Sequence, residues 1–353
     1  MNRVSMAPTT ASMSIVVKLS TLLLLSVLLS LCVGAYSISL QDIIKILGSG
    51  LNLSEGVEER SSFLVFQIRL PRILLGLLVG AGLAIAGAAI QVVFRNPLAE
   101  PGLIGISSGS MLLAAAFIVL KDYLPFEMGL LSHYIGLSLA AFLGGLLATI
   151  LVYKLSSKGG YTSVSTMLLA GVAMTALAGG LTGLLIFYAT ESQLRDITFW
   201  NFGSLGGANW TIVGVLTIIV LLGSGGIIKY AKQLEIMQLG DQEAGYLGVN
   251  VEKTKQFVVM LVVLMVGACV AFTGLIGFVG LVVPHLVRIY FKDVSFSITI
   301  IYTSLLGAIL LSLADTIART IVAPAELPIG ILTSLIGAPF FLWLLVNKKT
   351  PYN

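Results

Sequence analysis

The feature that most limits this chain is a run of 22 residues, Ile73 to Phe94, without one charged side chain. About 20 apolar residues suffice to cross a bilayer as a helix. In hydrocarbon, a helix is one of the few structures that satisfies every backbone N–H and C=O. The run opens after Arg69-Leu70-Pro71-Arg72. It closes at Arg95-Asn96-Pro97-Leu98-Ala99-Glu100-Pro101-Gly102, where two prolines and an asparagine cannot continue a helix. A second uncharged run follows at once. The pattern predicts two membrane helices joined by a short, structured corner.

The rest of the chain has the same character. Of 353 residues, 57% are apolar and only 10% charged, against roughly 25% in an ordinary soluble domain. The 38 glycines sit inside apolar runs, where small residues let membrane helices approach closely. Cys32 and Cys269 also lie in apolar runs, with neither disulfide nor metal-ligand spacing. The chain reads as a single all-α polytopic membrane domain over residues 1–353. About ten transmembrane helices are expected, at 15–35, 73–94, 103–120, 135–153, 164–188, 211–228, 257–272, 274–288, 298–316 and 328–346. The seventh and eighth form one unbroken apolar stretch, divided at Thr273-Gly274 because it is too long for a single span. The rival for the first run is a cleaved signal peptide, since Val33-Gly34-Ala35 resembles a cleavage site. The many hydrophobic segments that follow favour a retained span. Gln41 to Phe66 is amphipathic and mixed in charge, and reads as an extramembrane loop or surface helix.

With the N-terminus inside, thirteen of the 20 Lys and Arg fall on the inner side. The positive-inside rule thus places both termini (1–14 and 347–353) and the loop 229–256 in the cytoplasm of a cell with this inner membrane. Gly102-Leu103-Ile104-Gly105 recurs as Gly274-Leu275-Ile276-Gly277, close to half a chain later. In a ten-span chain the two copies open spans of opposite direction. This predicts two inverted five-helix repeats, as in many transporters.

Span interiors from Ile73 onward lack Asp, Glu, Lys, Arg and His when His285 and Asp315 are taken as span ends. Ion-coupled carriers usually keep such groups for the coupling ion. Channels show charged rings or a filter motif, and membrane enzymes show ligand clusters. His133 and His285 are isolated, so no metal site and no catalytic residue is expected, and a membrane-bound redox protein is disfavoured. What remains is a conduit whose energy comes from a partner, with an ion-coupled secondary transporter as the alternative. The partner surface is expected in Lys229–Gln256. There Asp241 to Leu247 reads as a short helix, started at Gly240-Asp241 and stopped by Gly248, with Leu239, Ala244 and Leu247 as an apolar docking face.

Several segments together carry a resemblance. They are QIRLPR (Gln67–Arg72), RNPLAEPGLIGISSG (Arg95–Gly109), LLAGVA (Leu168–Ala173), Gly240–Gly248, GLIGFVGLVVPHLVR (Gly274–Arg288), ADTIAR (Ala314–Arg319) and AELPIGILTSLIGAPFFLWLL (Ala325–Leu345). In this order, over nearly the whole chain, they resemble the ABC importer permeases for vitamin B12, iron–siderophore complexes and haem. The resemblance implies ten spans per subunit, a homodimer in the lipid bilayer, two cytoplasmic ATPase subunits and an extracytoplasmic substrate-binding protein; no nucleic acid is expected. ATP and Mg would bind the ATPase subunits, and no cofactor this chain. GSGGIIK at Gly223 lacks Walker A spacing, in keeping with that division.

Carried over by position, Arg69, Arg72 and Arg319 would be outward-facing arginines that receive acidic side chains of the binding protein. The planar guanidinium fork suits carboxylates. Gly240, Asp241, Glu243, Ala244, Leu247 and Gly248 would form the helix that couples to the ATPases. Thr166, Met167, Ala170, Gly171 and Met174 on the fifth span would line the pathway. Phe199, Trp200 and Phe202 would gate it. An iron–siderophore complex is the first expected cargo, with haem and cobalamin open.

Overall fold

The computed structural model describes residues 10–34, 36–50, 58–121, 130–291 and 294–347. Most of the two expected tails, 1–14 and 347–353, therefore lies outside the described residues. The helices run α1 (Thr10–Cys32), α2 (Leu40–Gly50), α3 (Glu59–Phe63), α4 (Leu70–Val93), α5 (Ile106–Leu120), α6 (Leu130–Ser156), α7 (Val164–Tyr188), α8 (Glu191–Phe202), α9 (Trp210–Lys229), α10 (Ala231–Met237), α11 (Asp241–Tyr246), α12 (Val251–Thr273), α13 (Val279–Tyr290), α14 (Phe296–Ala318) and α15 (Ile329–Asn347). Two-residue strands β1 (Ser157–Lys158) and β2 (Tyr161–Thr162) pair antiparallel between α6 and α7. Among the described residues, seven helices are long and apolar enough to cross a membrane, and α5, α13 and α15 are shorter apolar helices. These ten overlap the ten expected spans one for one, with several starts shifted. Side chains cap several starts: Ser163 for α7, Asn209 for α9, Asn250 for α12, and a Thr190–Gln193 capping box for α8.

α4 is the axis of the bundle, packed by α9, α12, α13 and α14. Of its span, 78% is buried, against 22% for α1 and 17% for α7. Protein, rather than lipid, is thus what surrounds the uncharged run. Glycine pairs set the crossings: Gly80 meets Gly307 of α14, Gly87 meets Gly280 of α13, and Gly109 of α5 meets Gly144 of α6, each backbone to backbone. α1 is part of the same body, with Leu19 buried beside Val287 and Tyr302.

Two expectations are corrected, each beside a proline. The helix that holds the second span does not begin at Ile73 but runs continuously from Glu59 to Val93. Residues Leu64–Arg69 widen into a π-helical turn, in which Leu70 N–H donates to the Val65 carbonyl. One register on, Pro71 has no N–H for the Phe66 carbonyl. Trp210 Nε1 donates to that oxygen instead, at 3.0 Å. His285, expected at a span end, lies buried inside α13 next to Pro284. Pro284 would leave the Gly280 carbonyl without its helical donor, and Gln91 Nε2 of α4 reaches it at 3.4 Å and Leu281 O at 3.3 Å.

The two Gly-Leu-Ile-Gly copies occupy equivalent places. Each is a non-α segment that leads into a short helix through a residue with positive φ: Gly105 (+86°) before α5 and Phe278 (+68°) before α13. The helices therefore start at 106 and 279, a few residues later than expected. A bulky residue at positive φ is uncommon. The Phe278 N–H is held by Glu100 Oε1 at 3.2 Å, which ties one copy to the other.

Candidate functional site

Where the two broken segments meet lies a cavity of about 750 Å³. Its floor and walls come from Leu83, the Glu100–Leu103 segment, Ser107 and Ser108 of α5, and Gly171, Val172, Thr175 and Ala176 of α7. Asn201, Phe202, Val266, Val270, Leu275–Gly277, Gly280, Gly330 and Ser334 complete it. The lining is mostly apolar, with a few hydroxyls, one amide and one carboxylate. Thr175 Oγ1 lies 3.3 Å from Ser108 Oγ and donates to the Gly171 carbonyl at 2.9 Å. Desolvation pushes the Glu100 carboxyl above the usual carboxylate range, and the Phe278 N–H partly offsets this. Gly171 touches the Leu103 carbonyl so closely that no Cβ fits there.

The structure separates the expected pathway residues. Gly171 lines the cavity, whereas Met167 is buried and Ala170 and Met174 are packed against the core. Thr166, in the first turn of the helix, is exposed. Of the three expected gate aromatics, Phe202 lines the cavity, Trp200 packs on the core beside Ala271, and Phe199 is exposed. Val172, Thr175 and Ala176 line the cavity and were not singled out by sequence. The stripe of Met and small residues marks the face of α7 turned to its neighbours, and the open face lies one residue further round.

At one end of the bundle, α11 forms as expected. Gly240 starts it at φ +133° and Gly248 stops it at φ +82°. Its apolar face is corrected: Ala244 is fully buried, while Leu239, Leu247 and Tyr246 are exposed, Tyr246 at 90%. Asp241 accepts from Lys255 Nζ at 2.7 Å and lies 4.0 Å from Arg95 Nε. Lys255 is wholly buried, 3.5 Å from Glu252 and 5.3 Å over the Tyr161 ring. Glu252 also accepts the Thr162 N–H at 2.9 Å.

At the opposite end the three expected arginines converge, with their forks turned inward rather than outward. Arg69 donates to the carbonyls of Leu31, Cys32 and Tyr36, and Arg319 to the carbonyl of Ser30 and to its hydroxyl at 2.9 Å. The last carbonyls of α1 have no helical donor, and cationic donors at a helix C-terminus satisfy them. Arg69 and Arg319 are accordingly 4% and 7% exposed. Arg72 grips Asp315 through Nε at 3.1 Å and Nη2 at 2.9 Å, and reaches Glu326 through Nη1 at 2.7 Å. Asp315 also lies 3.8 Å from Arg319 Nε. Sequence reading singled out the three cations but not the two acids that organise them.

The profile of the FecCD transport family matches residues 22–347, nearly the whole chain. The chain belongs to the FecCD transport family. Among FecCD relatives, the haemin transport system permease HmuU of Yersinia pestis is 44% identical over 80% of this chain and 83% of its own length. The cobalamin import permease BtuC of Halobacterium salinarum is 39% identical over 84% and 77%. The vitamin B12 import permease BtuC of Salmonella arizonae is 37% identical over 94% and 93%. An inward-facing structure of a metal-chelate type ABC transporter superposes with TM-score 0.81 at 34% identity, covering 94% of this chain and 99% of the other. The FecCD match takes in α1 from residue 22 and runs through α15, so the ten-helix body described above is the family's body. Within it, the arginine end adjoins the start of α4 at Arg72, the cavity touches its middle at Leu83, and α11 approaches Arg95 just past its far end.

Proposed function

We propose that this FecCD permease is the membrane-spanning subunit of an ABC importer that takes a bulky metal chelate inward. The cargo is an iron–siderophore complex, haem or a cobalamin, and the named relatives favour the two metal tetrapyrroles. A homodimer would sit in the cytoplasmic membrane with both termini inside. Two ATPase subunits would bind at α11, and a binding protein would dock at the Arg72 end. The observation that carries this reading is the large, mostly apolar cavity walled by α7 and the two broken segments. It suits a bulky cargo that is passed along rather than gripped. Supporting it, α7 leaves most of its surface uncovered in the single chain, as expected of a helix that faces a second copy across a pathway.

The test is reconstitution in vesicles. Permease with its ATPase and binding protein should accumulate haem or cobalamin only with ATP, and permease alone should accumulate nothing. Uphill uptake by the isolated chain would overturn the reading.

Two narrower results follow. Tyr246→Asp with Leu247→Asp is expected to weaken capture of the ATPase subunit about 30-fold, the effect of losing one central interface anchor of about 2 kcal/mol, with thermal stability unchanged. Ala244 is unsuited to this test because it is part of the core. At the other end, Glu326→Gln frees one leg of the Arg72 fork. A half-exposed pair contributes about 1 kcal/mol at most, so binding-protein affinity measured at low salt should rise by up to about fivefold.

A further inference from the structure

Lys255 has a place that the permease reading does not explain. A lysine is seldom fully buried unless it is paired, and here one side chain joins three pieces of chain. Its Nζ lies 2.7 Å from Asp241, the first residue of α11, and 3.5 Å from Glu252 on its own helix. Its cation lies over the ring of Tyr161 in β2. Glu252 in turn holds the N–H of Thr162 at 2.9 Å. Two residues later α7 begins, its first turn capped by Ser163. The short hairpin is thus fixed from below by Glu252 and Lys255, and it is the root of the helix that walls the cavity.

The rest of α7 is lightly held. Its described buried residues are Met167, Gly171, Ala178 and Thr182. Gly171, one of these, rests directly on the Leu103 carbonyl, a backbone contact suited to act as a fulcrum. Ion pairs shielded from water lose little to screening and resist separation. A displacement of α11 therefore draws Asp241, Lys255, Glu252 and the hairpin with it. The foot of α7 moves on one side of Gly171, and the cavity-lining Val172, Thr175 and Ala176 move on the other.

We infer that Lys255 is a positioning residue that transmits movement of α11 to α7, and so links ATP hydrolysis by a partner to the state of the cavity. The inference rests on α11 being the ATPase-binding element proposed above.

The experiment uses the complete complex in vesicles and measures ATPase capture, ATP hydrolysis and cargo carried per ATP. Lys255→Met should leave capture within about twofold of the unaltered complex and hydrolysis active, and should lower cargo per ATP at least tenfold. Lys255→Arg, which keeps the charge, should restore at least half. Glu252→Ala tests the hairpin side alone at a partly exposed position, and should lower the ratio severalfold even where Lys255→Met folds poorly. Unchanged cargo per ATP in both Lys255→Met and Glu252→Ala would overturn the inference. So would loss of capture in Lys255→Met that Lys255→Arg does not restore, since Lys255 would then belong to the docking surface. If Tyr246→Asp with Leu247→Asp abolishes capture while these variants stay coupled, only the Lys255 inference falls. If that double variant leaves capture intact, it is the assignment of α11 that fails.

Discussion

Asp315→Leu is expected to be the most damaging single substitution at the arginine end, costing about 3–5 kcal/mol, the usual effect of removing one partner of a buried ion pair. Asp315 is 3% exposed and, among the described residues, is the carboxylate within 4 Å of both Arg72 and Arg319, with the half-exposed Glu326 further out. Without it two guanidinium groups remain close together in a poorly hydrated place, with Arg69 nearby. The measurement is thermal unfolding of the purified chain in detergent or lipid. The double variant Arg72→Met with Asp315→Leu removes charge of both signs and should lose clearly less than Asp315→Leu alone. If the double variant is as unstable as the two single losses added, the attraction between the pair is not what holds this end.

Gly87→Val is expected to have an effect of similar size by a different cause. Overpacking a core usually costs about 1–3 kcal/mol and sometimes more. Here the obstacle is the Gly280 backbone, which no rotamer change can move, so the result lies at or above the top of that range. α4 and α13 would have to separate, and Gln91 would lose the Gly280 carbonyl left free by Pro284. Expression and melting temperature should both fall sharply. Gly225→Val on α9 has open space around its new side chain and should behave like the unaltered protein. Comparable stability of the two variants would show that the α4–α13 crossing tolerates separation.

Much of the fold was legible because membrane spans announce themselves by length and lack of charge. The division at Thr273-Gly274 lies where α12 ends, with Gly274 at φ +70°. The short helix between Gly240 and Gly248 formed because glycines with positive φ stop helices more strongly than neighbouring propensities extend them. What was not legible depends on partners far apart in sequence. Nothing local to Arg69 shows that its donors reach the end of α1, and nothing local to Lys255 shows that it is buried. Glu100 reads as part of a polar corner, yet the fold turns that corner inward to the cavity. On α7, the resemblance pointed to a set of small and flexible residues, and small residues are chosen equally for close packing and for a smooth wall. The choice between those uses was made by α5 and the Leu103 carbonyl.

The bonds from Arg319 to Ser30 can form only late in synthesis. The two residues are 289 positions apart. At roughly 5–20 residues per second, a ribosome needs about 15–60 s to supply the arginine after the serine has been made. During that interval, of the two arginines that donate to the end of the first helix, Arg69 is the one already made. A nascent chain that stops short of Arg319 leaves the Ser30 carbonyl and hydroxyl at the end of its earliest helix without that donor.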